Sequence, residues 1–354
     1  MRKLLLPVLA LLLFCSHDMY LKPDGYFLPA GTFATIRLHN GTYAESENTI
    51  DRSRMTDVSL VGNGRRTAVP AGRWMEVGNA TVLNFKTGAP GTWVAGVSTR
   101  SRDFTLTAEA FNRYLAHDGV TGELGLRKAD GTLNDEARER YSKHVKSIFQ
   151  VGEERSSDYA TVLGYPIEFV PVNNPYDLAV GEEMSVRLLF RGEPLADEMV
   201  YVDHDNGSSA HDHQDGEHAH DESEDHTHTK GTPYRTDTAG LVRFTAEAPG
   251  IWHLRTIRME RMNEDSLTHE SNWATLTFAV EQDLSTLATA HHHAAGGHTH
   301  ADGTVHDHGD GAHAHGPEDH AHADEGVAGL PAPLWWGGSL LLVTGLFFYF
   351  NRKA

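Results

Sequence analysis

The stretch TDTAGLVRFTAEAPGIWHLRTIRM, residues 236–259, reads as turn, strand, turn, strand. Its two strand pieces, LVRFTAE (241–247) and GIWHLRTIRM (250–259), are rich in Val, Thr, Phe and Trp, and Gly, Pro and Asp bound them. The same grammar recurs in TFATIRLHN (32–40), ATVLNFKT (80–87), GTWVAGVST (91–99), MSVRLLF (184–190), MVYVD (199–203) and WATLTFAV (273–280). Short strands with regular turn signals are the pattern of antiparallel sandwiches. The expectation is an all-β chain of two immunoglobulin-like β-sandwich units with one or two short helices. Helical pattern is read in LTAEAFNRYLAHDG (106–119) and in NDEARERYSKHVKSIFQV (134–151), where Ala137, Tyr141, His144, Val145 and Phe149 recur at helical spacing. Turn residues in PVNNPYDLAVGEE (171–183) place a division there, giving an N-terminal β-rich domain over 17–170 and a C-terminal sandwich over 171–282.

Two segments break this pattern. Residues 204–228 and 291–322 hold 18 of the 24 histidines, among Asp, Glu, Gly and Ala, and residues 211–228 have no large apolar residue to bury. The first carries His204 and then three H-x-H pairs: His211 with His213, His218 with His220, and His226 with His228. It is read as an insertion into a sandwich loop, where added length costs little stability. The second lies in a His/Asp-rich linker over 283–330. It opens with His291, His292 and His293 and continues in pairs: His298 with His300, His306 with His308, His313 with His315, and His320 with His322. Side chains two apart in an extended chain project to one side, so each pair offers two imidazoles to one cation, with a carboxylate such as Asp212, Asp221 or Asp225 beside it. A hydrophilic spacer needs polarity but not this concentration of imidazole. The sites expected are multiple, individually weak and lost on acidification, because imidazole binds metal only when neutral. They suit capture and hand-off or buffering rather than catalysis, which needs a fixed geometry with an open position.

The formal net charge of −19 is local. Residues 203–228 carry nine acidic residues and 291–325 seven, with no Lys or Arg in either, which leaves 33 acidic against 30 basic residues elsewhere. No basic surface for nucleic acid is implied. Arg2, Lys3 and the apolar run Leu4 to Phe14 read as an export signal over 1–16. Cleavage after Ser16, cleavage after Cys15 and lipidation at Cys15 all remain open. Cys15 is the one cysteine, so either of the first two cuts leaves any metal to nitrogen and oxygen ligands. At the other end, Leu334 to Phe350 is uncharged and mostly apolar, with Trp335 and Trp336 at one edge and Arg352 and Lys353 past the other. This reads as a transmembrane helix over 331–351 with its C-terminus cytoplasmic. The bulk would then face the periplasm or the outer face of an inner membrane.

HDMYLKPDGY (17–26), ERYSKHVKSIFQVG (139–152), PVNNPYDLAVGEEMSVRLLFRGEPLADEMVYV (171–202), the opening stretch and ESNWATLTF (270–278) occur in an order that resembles the DUF4198 family. The resemblance implies a periplasmic β-rich protein linked to divalent metal uptake of the nickel type, with an early histidine in the mature chain, here His17. The histidine segments and the anchor lie outside that shared pattern, and THESNW (268–273) departs from it.

If cleavage leaves His17 first or second, its imidazole and the new amine can chelate one cation in the square-planar fashion suited to Ni(II) or Cu(II). His39, His117, His144, His253 and His269 read as surface or structural histidines. Met259 and Met262 read as strand packing, and GNGRR (62–66) lacks the strand–glycine–helix context of a phosphate loop. No catalytic signature appears, so the expectation is a non-enzymatic binder of a divalent transition metal, nickel first, with cobalt, zinc or copper as competitors. Its expected partner is an inner-membrane metal transporter. Two other classes stay open: a zinc or copper buffering or resistance protein, and a copper enzyme with an N-terminal histidine brace.

Overall fold

The stretch over 236–259 forms the two strands its pattern predicts, and the turn between Thr236 and Leu241 shows why. Asp237 Oδ1 accepts the backbone N–H groups of Ala239 and Leu241 at 2.8 and 2.9 Å. Gly240 sits at φ +70°, and a Cβ there would lie 2.8 Å from the Leu188 carbonyl oxygen, so backbone sterics require glycine.

A computed structural model describes residues 18–205, 231–264 and 266–281. Nine strands come first: β1 (Asp18–Pro23), β2 (Phe27–Leu28), β3 (Phe33–Gly41), β4 (Met55–Gly62), β5 (Arg65–Ala68), β6 (Trp74–Val77), β7 (Ala80–Lys86), β8 (Gly91–Thr99) and β9 (Arg102–Leu106). Two helices follow, α1 (Ala108–His117) and α2 (Thr121–Ala129), then β10 (Ala137–Val151) and β11 (Ile167–Pro171). The remaining strands are β12 (Glu183–Phe190), β13 (Glu193–Pro194), β14 (Met199–Asp205), β15 (Thr232–Arg235), β16 (Leu241–Thr245), β17 (Gly250–Glu264) and β18 (Leu267–Val280).

These strands make three sheets. A central sheet runs β15-β14-β17-β18-β10-β8-β4-β5, with β2 and β9 also pairing with β10. A four-stranded sheet in the order β1-β3-β7-β6 lies against it: Thr275 Oγ1 and Thr277 Oγ1 of β18 donate to the Met19 and Leu21 carbonyls of β1 at 2.7 and 2.8 Å. The third sheet is β11-β12-β13 with β16 on β12. One core draws on all three, including Ile36, Leu83, Val145, Ile148, Val186 and Leu276. The fold is therefore mostly β and sandwich-like, as the alternation predicts. Strands on either side of 170/171 share the central sheet, because β10 and β18 pair in parallel from Glu139↔His269 to Ser147↔Thr277.

The helix expected over 134–151 is instead β10. The cause is burial on both faces: every residue from Lys143 to Val151 is buried, so the period-2 signal of a half-exposed strand is lost. Its polar residues are satisfied internally rather than solvated. Lys143 Nζ donates to Asn40 Oδ1 at 3.1 Å and lies over the Trp273 ring, and Lys146 pairs with Glu168 at 3.1 Å. The helix expected over 106–119 forms as α1, with Thr107 Oγ1 accepting the Ala110 N–H at 3.3 Å as its N-cap. Among the described residues no helix is long and apolar enough to cross a membrane, and the span expected over 331–351 lies outside them.

Under α1 sits a second apolar cluster of Leu106, Phe111, Leu115, Ala137, Ile257 and Trp273. Inside it, fully buried, Glu139 Oε1 accepts from the Ser271 hydroxyl and from Tyr114 Oη at 3.2 Å, while Oε2 has no hydrogen-bond partner. Burial pushes this carboxyl up to about 7. The unfolded chain ionises near 4.5 while the folded chain stays protonated, so stability falls as pH rises from 4.5 to 7, by about 3 kcal/mol in all. Glu139→Gln should flatten that slope in urea unfolding curves taken across this range. An unchanged slope would remove Glu139 as its source.

Candidate functional site

The root of the first histidine segment is fixed by β14 and β17. Their antiparallel register sets Asp203 opposite His253, His204 opposite Trp252 and Asp205 opposite Ile251. His204 is exposed; its imidazole stacks on the Trp252 ring at 5.0 Å, and its backbone N–H donates to Asp203 Oδ1 at 2.8 Å. His253 is half-buried. It stacks on Tyr43 at 5.1 Å and meets the edge of Tyr20 at 5.5 Å. Tyr20 Oη donates to Asp18 at 3.3 Å, and Asp18 pairs with Arg255 at 3.5 Å. Burial lowers the His253 pKa, and the carboxylates of Asp203, Asp18 and Asp205 oppose that shift. Thus the charges of Asp18, the first described residue, and of the two aspartates at the root of the insertion all act on one imidazole.

His39 shares this neighbourhood. It pairs with Tyr20 across β1 and β3, and burial, with Lys22 nearby, lowers its pKa to about 4. The other single histidines are elsewhere. His117 Nδ1 lies 2.9 Å from Asp118, and His269 bridges Thr268 Oγ1 at 2.7 Å and Glu123 Oε1 at 3.3 Å, beside Phe111. Among the described residues no three His, Cys, Asp or Glu side chains converge closely enough to hold a metal ion. Of the expected metal ligands, His204 alone is a described residue, and it stacks on an indole rather than joining a cluster of donors. His17, His211, His213, His218, His220, His226 and His228 lie outside the described residues. So do the downstream histidines His291, His292, His293, His298, His300, His306, His308, His313, His315, His320 and His322. Met259 packs against the second apolar cluster, in keeping with a packing role. The GNGRR stretch is the β4–β5 hairpin turn, with Asn63 and Gly64 at φ 53° and 72°.

A second feature gave no sequence signal. On three adjacent strands, β8, β10 and β18, the polar side chains Ser98, Ser142, His144 and Asn272 line the floor of an open cleft of about 1160 Å³. Ser142 Oγ donates to Asn272 Oδ1 at 3.0 Å, so the contact between Ser142 Oγ and His144 Nε2, also 3.0 Å, is a donation from the ring. His144 Nδ1 is then the bare nitrogen, and the Ser98 hydroxyl donates to it at 2.9 Å. Burial lowers the His144 pKa to about 4, so the ring is neutral at neutral pH.

A profile of the family described as "Domain of unknown function (DUF4198)" matches residues 15–260. The chain belongs to the DUF4198 family. No curated protein matches it significantly. Among solved structures this DUF4198 chain is similar to the D0-D1 domain of intimin, at 11% identity over 74% of this chain and 97% of that one, with a TM-score of 0.16. It is also similar to trypsin-activated alpha-2-macroglobulin from Escherichia coli, at 7% identity over 76% and 16% of the two chains, TM-score 0.18. The Escherichia coli adhesin FdeC gives 10% identity over 76% and 64%, TM-score 0.19.

Proposed function

We propose that this DUF4198 protein is a membrane-anchored, exported collector of divalent transition metal that passes its cargo to an uptake system in the inner membrane. The observation that carries this reading is the packing of 18 of 24 histidines into two acidic segments, one of them rooted between β14 and β15 beside Asp203, Asp205 and His253. H-x-H pairs among carboxylates give many exchangeable sites of nitrogen and oxygen donors, which take Ni(II), Co(II), Zn(II) or Cu(II). Nickel is placed first on the family resemblance. The role is binding and presentation; the one specific site is assigned to His17, next to Asp18 in the chain.

The test is nickel stoichiometry by mass spectrometry at neutral pH, on the chain expressed with its signal and anchor and on a variant lacking residues 211–228 and 291–322. The parent should carry several ions. The variant should keep about one or none, and any ion it keeps should be lost on His17→Ala. Equal loading of parent and variant would overturn the reading. Growth of a deletion strain separates transport from buffering: starvation at limiting metal supports uptake, whereas sensitivity to excess metal supports a buffer.

A further inference from the structure

The segment holding α1 and α2 leaves the sheet after Leu106 and re-enters it at Ala137, and those two residues face each other in the β9–β10 register. Both helices can therefore leave the sheet without breaking a strand pair. At 10 and 9 residues they are too short to persist alone in water, so each depends on what it touches.

The two are held differently. α1 buries Ala110, Phe111, Tyr114 and Leu115 in the second apolar cluster. α2 buries two side chains, and both are charged: Glu123 and Arg127. Glu123 accepts from Arg261 Nε at 2.9 Å and lies 3.3 Å from His269 Nε2, while Asp130 meets the same arginine at 2.6 Å. Arg127 donates to Asn112 Oδ1 at 2.9 Å and to the Asp135 carbonyl at 2.7 Å. One small apolar seam and a set of polar contacts thus hold the whole helical pair.

Beneath α1 lies the fully buried Glu139. Its Oε1 already accepts from Tyr114 and from Ser271, whose hydroxyl oxygen in turn accepts from Trp273 Nε1 at 3.0 Å. The proton of the neutral acid therefore belongs on Oε2, which has no partner. Among the described residues no cation pairs with Glu139. On β17, Arg261 is committed to Glu123 and Asp130, and Arg255 faces Asp18 at 3.5 Å. On β10, Lys143 donates to Asn40, Arg140 pairs with Asp103 of β9 and Arg138 with Glu136. His269 of β18 faces Glu123. The charge that does bear on Glu139 is Asp118, at the end of α1, and it has the same sign.

The geometry points to α1 and α2 acting as a cover that lifts when Glu139 gives up its proton to solvent. Ionised in place, the carboxylate would keep one oxygen sealed without a donor, beside a second negative charge. Raising the helices that seal it admits water while the strands beneath stay paired, so this opening disturbs less than unfolding the sheet. Lifting bares the carboxylate and the Phe111 and Trp273 rings. The proposal does not rest on the metal reading.

Hydrogen exchange of the full chain, read by mass spectrometry at pH 5, 6 and 7, is the test. Glu139→Gln is measured at each pH, so that the ratio of parent to variant cancels the intrinsic pH dependence of exchange. Burial holds the closed carboxyl at about 7, whereas in water it ionises near 4.5, so opening grows as pH rises between those values. From pH 5 to pH 7 the ratio over residues 108–129 should rise on the order of thirtyfold. Over 241–259 it should stay constant. Glu139→Leu, which leaves no polar atom at the site, serves as a second reference and should give the same ratios. A flat ratio over 108–129 against both references overturns the proposal. An equal rise over 241–259 also overturns it, because the whole fold would then be opening rather than the cover.

Discussion

Glu168→Ala should cost about 3–5 kcal/mol of stability, because it strips a buried ammonium of its carboxylate. Lys146 and Glu168 are each 1% exposed and 3.1 Å apart, and the Lys146 Nζ also donates to the Thr161 carbonyl at 2.9 Å. Burial lowers the lysine pKa, and the Glu168 charge holds it up. The carboxylate also takes the backbone N–H groups of Leu163, Gly164 and Tyr165 at 2.9, 2.8 and 3.2 Å, so the alanine variant orphans three amides as well. Urea unfolding measures the loss. The double variant Lys146→Met with Glu168→Leu should recover part of it, since it removes the stranded charge but not the orphaned amides. A single-variant loss below about 1 kcal/mol would mean that water reaches the pair.

Acid should destabilise the fold through His39 and His144. Both are lowered from 6.5 to about 4 with burial as the main cause, and His39 Nδ1 is buried without a hydrogen-bond partner. A folded pKa below the unfolded one means that the unfolded chain takes the proton first. The stabilising contribution is therefore complete above pH 6.5 and is lost as pH falls toward 4, by about 3 kcal/mol for each ring. Glu139 acts in the opposite sense over pH 7 to 4.5 and offsets about half of the combined loss. Unfolding midpoints between pH 7 and 4 should fall, and His144→Gln should remove one ring's share. Midpoints flat across that range in both the parent and Glu139→Gln would contradict the assignment.

The sandwich is legible wherever one strand face meets solvent. In Leu241–Thr245 the burial alternates, and so does the pattern of side chains that predicts it. Legibility fails on β10, where Lys143, Lys146, Ser147 and Gln150 look like the solvated face of a helix yet are buried among specific partners. No periodicity rule anticipates Glu168 as the counter-ion of Lys146 from 22 residues away. The histidine segments are legible because their chemistry is local in sequence. The cleft is not: Ser98, His144 and Asn272 belong to three strands and become neighbours only through pairing. The helix α2 also escapes, since nothing hydrogen-bonds from the side chain of its N-cap residue, Val120.

The parallel pairing of β10 with β18 sets an order on assembly. Ser142 and Asn272, bonded across that pair, are 130 residues apart. As the chain is made, β2, β8 and β9 can pair with β10 early, but the edge of β10 over 139–147 stays open until the last described strand arrives. Joining partners so distant in sequence costs loop-closure entropy before any contact repays it, so closure is slow. Through that interval the open edge of the longest early strand is a template for pairing with another copy. The interval lengthens with anything inserted between the two strands, and the first histidine segment is such an insertion. Its acidic, apolar-poor composition is of the kind that resists collapse onto an exposed edge.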